Sequence, residues 1–77
     1  MKPLLHRIEL NPEVLAGKPV IKGTRLSVQF ILRLLAHGET PQSIIEEYNY
    51  ITEKDIRACL LFARELLGSN FITRNTA

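Results

Sequence analysis

The order of apolar and polar positions divides the chain into an irregular first third and a helical remainder. The clearest periodic stretch runs from Thr52 to Gly68. Thr52 has the chemistry of an N-cap, and Asp55, three residues on, can reach back to it as in a capping box. Glu53 and Asp55 put negative charge at the positive end of the helix dipole. Neither Gly nor Pro follows until Gly68, which predicts a left-handed stop. At about 100° per residue, Ile56, Cys59, Leu60, Ala63, Leu66 and Leu67 share one face, predicted to be buried. Lys54, Arg57, Ala58, Leu61 and Glu65 lie opposite. That outer face is basic at its start and apolar in its middle.

Two helices precede it. Ser27 caps a stretch from Val28 to His37 closed by Gly38, in which Val28, Ile31, Leu32 and Leu35 form a stripe widened by Phe30 and Leu34. Only Gln29, Arg33 and His37 remain for water, so this helix is expected to lie between other elements. His37, near its carboxyl end, suits the helix dipole. Thr40-Pro41 repeats the cap-plus-proline start, and the helix continues through Ile44, Ile45 and Tyr48 with Gln42, Glu46 and Glu47 outward. Asn49 tolerates a left-handed turn and leads to the Thr52 cap. A two-turn helix, a short connection and a longer helix make a helix-turn-helix pattern. With the helix in front, the expectation is a mainly α fold, a three-helix homeodomain-like helix-turn-helix.

The first part reads differently. Leu4 to Leu10 carries a weak strand signal, and Asn11-Pro12 begins a helical turn ended by Gly17. Val20-Ile21 favours extended backbone, Pro19 fits a strand start, and Gly23 marks a bulge or left-handed turn. A β-hairpin packed on the helices results, and the same hairpin could act as a wing holding Lys18, Lys22 and Arg25 against phosphate. Arg25 is equally suited to a buried structural ion pair. The organisation is one domain over 1–77: hairpin or wing and helical turn in 1–26, helical core in 27–67, tail in 68–77. The tail is expected to fray, or else its apolar residues Phe71 and Ile72 dock on a partner and order there.

With 77 residues, one Cys and two separate His, the chain has no disulfide and no evident metal-ligand set, so self-association is expected. Apolar runs fall far short of the ~20 residues that span a bilayer. There is no signal pattern, and a lone thiol suits a reducing, cytoplasmic setting. The net charge is only +2 but uneven. Residues 1–38 carry six Lys or Arg against two Glu, whereas residues 39–77 carry four against six acids. Attraction to nucleic acid must therefore come mainly from the first half. Gly17 and Gly23 do not make a phosphate-binding Walker loop, because five residues separate them and Thr24 follows directly. Glu46 and Glu47, adjacent on a helix, diverge by about 100° rather than pairing across a substrate. No catalytic set and no cofactor site is suggested.

The run Asn11-Pro12-Glu13-Val14-Leu15-Ala16-Gly17-Lys18-Pro19-Val20-Ile21-Lys22-Gly23-Thr24-Arg25 resembles the opening of a widespread prokaryotic family. That family is known as a domain of unknown function and is placed among homeodomain-like helix-turn-helix folds. Its Gly-x-Pro-x-Ile-x-Gly-Thr-Arg core is specific, and the likeness continues through Gly38-Glu39-Thr40-Pro41, Ile44 to Tyr48, and Asp55 to Ala58. The resemblance implies an antitoxin of a type II toxin–antitoxin pair, partnered by a PIN-like ribonuclease and repressing their shared operon. Two departures stand out: Asn49 replaces a usual Pro, and Leu61-Phe62 replaces a small residue followed by Tyr.

Two functions follow. As a homodimeric repressor, the chain would contact operator DNA through Thr52, Lys54 and Arg57, with Lys18, Lys22 and Arg25 on phosphates. As an interaction module, it would inhibit a partner nuclease without specific DNA binding. The partner or dimer surface would then comprise Ala58, Leu61, Phe62, Phe71 and Ile72, because exposed apolar clusters mark contacts.

Overall fold

The computed structural model describes the backbone of residues 2–75 and the side chains of residues 4–68. Among the described residues, three helices form the body: α2 (Val28–Ala36), α3 (Pro41–Glu47) and α4 (Glu53–Asn75). Ahead of them stand a one-turn helix, α1 (Lys2–Leu5), and two short strands, β1 (Ile8–Glu9) and β2 (Val20–Ile21). The strands pair antiparallel, Ile8 opposite Ile21 and Glu9 opposite Val20. This is the expected three-helix fold behind an N-terminal hairpin.

The local chemistry sets the helix starts. Ser27 Oγ accepts the Phe30 N–H at 2.9 Å and opens α2. At α3, Thr40 Oγ1 accepts from Ser43 N while Thr40 N donates to Ser43 Oγ, a reciprocal cap with Pro41 in the first turn. At α4, Thr52 N donates to Asp55 Oδ2 at 2.8 Å and Asp55 N donates to Thr52 Oγ1 at 3.3 Å. Gly38 takes φ 98°, a conformation that favours glycine, just after the α2 C-cap. Gly68 does interrupt α4, with φ 76° and ψ 161°, in a region essentially restricted to glycine. Helical backbone resumes after it, so Gly68 makes a break rather than an end.

Ile31 of α2, Ile44 of α3, Ile51 of the connecting turn, and Ile56 and Cys59 of α4 converge with Ile21 and Val28 into one core. Each fully buried aliphatic side chain contributes on the order of 1.5–3 kcal/mol. Phe30 meets Tyr48 edge-on at 5.8 Å between ring centroids, closing the α2–α3 contact.

The first part departs from the sequence reading. Leu4 to Leu10 is not one strand: α1 packs on α4 and only Ile8–Glu9 pairs. The segment before Gly17 is not an ordinary helical turn. Leu15, Ala16 and Gly17 all have positive φ (50°, 57° and 85°), so the chain reverses through a left-handed turn. Such geometry costs about 1–2 kcal/mol per residue other than glycine. The hairpin is also integral to the core, since Val20 and Ile21 are buried. Besides pairing with β1, β2 is tied to the chain before α2 through Ile21 N to Leu26 O and Val28 N to Pro19 O, both 2.9 Å.

The largest correction concerns α4. Ala58 and Leu61, expected on its outer face, are 0% and 8% exposed. Leu60, Leu66 and Leu67, expected inside, are exposed. The buried face is therefore turned by about a quarter turn, centred near Ala58, Cys59 and Phe62. The cause is Asp55. Its charge makes that direction look solvent-facing on a helical wheel, yet Arg7 reaches over from the N-terminal segment and pairs with it.

Candidate nucleic-acid interface

The turn from Tyr48 to Thr52 joins α3 to α4, whose first turns bury Asp55, Ile56, Ala58 and Cys59 and leave one side open. Lys54 and Arg57 are exposed there, and neither forms an ion pair among the described residues. Thr52 is exposed as well, but its hydroxyl is engaged with Asp55, accepting from Asp55 N and lying 3.2 Å from Oδ2. It is a capping group first. Ile51, buried beside it, pins the turn to the core.

The N-terminal segment supplies a second cationic element. Arg7 Nη1 donates to Asp55 Oδ1 at 3.0 Å across 48 residues of sequence. Lys22 N donates to Arg7 O at 2.7 Å, which extends the β1–β2 ladder by one rung. His6, Arg7, Lys22 and Asp55 together line an open recess of about 400 Å³. Asp55 is the one buried charged residue among those described, and both its oxygens are engaged. Its side chain is 11% exposed against 38% for Arg7, so the recess presents mainly positive charge.

Of the six residues proposed from the sequence for DNA contact, all are exposed. Lys22 enters the recess, and Thr52 adjoins it through Asp55. Lys54 and Arg57 continue along α4. Lys18 and Arg25 do not line the recess. Lys18 precedes Pro19, which borders a different cavity, and Arg25 sits in the exposed turn where Thr24 Oγ1 accepts from Leu26 N. Arg25 has no ion pair among the described residues; the structural ion pair belongs to Arg7. His6 and Arg7 were missed because they fall within a stretch read as strand, and nothing local announces a partner 48 residues away.

The other cavity is an apolar groove of about 210 Å³ between β2, α2 and the second half of α4, bordered by Pro19, Val28, Leu32, Phe62, Ala63 and Leu66. Phe62 packs against the core while bordering this groove. Ala58 and Leu61 leave the interface assignment because they are internal packing residues, covered once the hairpin and α1 fold over α4. Phe71 and Ile72 lie outside the residues whose side chains are described. No helix among the described residues is long and apolar enough to cross a membrane. Cys59 is fully buried, and burial, followed by the nearby Asp55 charge, pushes its thiol up to about 12.

A family model described as "Protein of unknown function (DUF433)" matches residues 8–63. No curated protein and no solved structure matches the chain.

Proposed function

The chain belongs to the DUF433 family of proteins of unknown function, and on that premise we propose that it is the antitoxin of a type II toxin–antitoxin pair. In this reading it works in the cytoplasm as a homodimer, neutralises a PIN-like ribonuclease and represses its own operon. The DNA-binding part rests on one observation: Lys54 and Arg57 are exposed on the open side of the first turns of α4, whose Asp55 side meets the recess lined by His6, Arg7, Lys22 and Asp55. A helix presented by its amino-terminal turns is the geometry by which a helix-turn-helix enters the major groove, with flanking cations on phosphates. A dimer would read two half-sites about one helical turn apart.

A second reading, an inhibitor of a nuclease without specific DNA binding, is favoured by the apolar groove and by Leu66 and Leu67, which are 73% and 61% exposed. These residues replace Ala58 and Leu61 as the anchors for a protein partner. Fluorescence anisotropy on the DNA upstream of the chain's own gene separates the readings. Preference over random duplex by about 10³-fold or more supports the repressor. Equal affinity for both duplexes, together with a co-purifying complex with the neighbouring gene product, supports the inhibitor. Lack of both would eliminate the proposal.

A further inference from the structure

We propose that the recess between the hairpin and α4 is a phosphate site in which Lys22 and Arg7 hold the phosphate and Asp55 aims the Arg7 guanidinium. It deepens the DNA-binding reading and rests on it for its source of phosphate, a backbone phosphodiester flanking the base pairs met by α4.

The backbone places the two cations together. The β1–β2 register pairs Ile8 with Ile21, and the hydrogen bond from Lys22 N to Arg7 O carries that register one step further. Arg7 and Lys22 are thus direct cross-strand neighbours, and opposite residues of an antiparallel pair project to the same face. Like charges in that position repel. His6 joins them at the wall of the same recess, where Asp55 is the one acid among the described lining residues.

Asp55 offsets one of these two charges and leaves the recess a net positive charge. Its Oδ2 accepts from Thr52 N at 2.8 Å, its Oδ1 accepts from Arg7, and little of the carboxylate reaches solvent. The guanidinium has five N–H donors in a rigid fork, and the pair with Asp55 uses one Nη. The ion pair therefore anchors the Arg7 guanidinium through one nitrogen and leaves donors for a phosphate oxygen, a geometry in which arginine outperforms lysine. Lys22 supplies a mobile point charge from the facing strand, free of protein carboxylates among the described residues. The amino end of α4 is not the attraction, because Thr52 and Asp55 already cap it.

Two measurements test the site on the full chain. The first is duplex affinity over a salt series. Lys22→Gln should reduce the slope of log K against log [salt] by about 0.9, leaving the ranking of DNA sequences unchanged, since a phosphate contact carries no base information. Arg64→Gln, on the exposed second half of α4, should leave the slope as it is. The second is a titration of the free protein with inorganic phosphate, followed by amide NMR. Saturable shifts at Arg7 and Lys22, absent in Lys22→Gln, are expected. Duplex binding with an unchanged slope in Lys22→Gln overturns the inference. So does a wild-type recess that inorganic phosphate does not perturb. Saturation by phosphate without any duplex binding would instead overturn the DNA reading, and with it the backbone as the source.

Discussion

Removing the Asp55 carboxylate tests the account of how α4 is seated. In Asp55→Ala the reciprocal cap with Thr52 disappears, a loss of about 1 kcal/mol. The Arg7 pair goes too, worth about 1 kcal/mol after allowance for the 38% exposure of the arginine, which can turn to water when released. The sum of about 2 kcal/mol is a large share of the roughly 4–12 kcal/mol expected for a chain of this length. It corresponds to a fall in Tm of roughly 8–16 °C. Asp55→Asn keeps an oxygen for Thr52 N and should lose only about half of this. Arg7→Met retains the aliphatic stem and should lose a similar amount. Urea unfolding followed by circular dichroism, run on both single variants and on the double variant, reads the pairwise term directly. A coupling of about 0.5–1 kcal/mol is expected between positions 7 and 55. Strict additivity of the two single effects, or a shift below about 0.5 kcal/mol in Asp55→Ala, would refute the claim that Arg7 is what allows a carboxylate on the buried face.

Two further predictions follow from the placement of α4. Leu61→Ala should destabilise the domain by about 2–3 kcal/mol in urea melts, whereas Leu66→Ala should change stability by less than about 0.5 kcal/mol and weaken only partner or dimer association. Cys59 should resist alkylation in the native state at pH 8 and react once unfolded. Its raised pKa also has a definite sign for stability. The unfolded thiol ionises near 9.0 and the folded thiol near 12, so the contribution is intact below pH 9 and declines as pH rises toward 12. A melt series over that window showing rising stability would contradict the burial of the thiol.

Elements specified within a few residues were legible in the sequence. Ser27, Thr40-Pro41 and Thr52/Asp55 fixed the starts of α2, α3 and α4, because a cap is a hydrogen bond between neighbours in the chain. The breadth of the α2 stripe placed Val28 and Ile31 in the core for the same reason. The turn at Leu15–Gly17 was not legible, since Leu15 and Ala16 carry no local preference for positive φ and hold it under constraint from both sides.

The residues alone therefore determined the order of the three main helices, where each begins, and the positive balance of the first half. Tertiary structure decided which side of α4 is covered and where the cations gather. Both outcomes arise where the N-terminal segment folds onto α4 and Arg7 meets Asp55, a contact between chain segments that have no sequence proximity. A helical wheel weighs each side chain as if its partner were solvent, and a paired carboxylate reverses that weight.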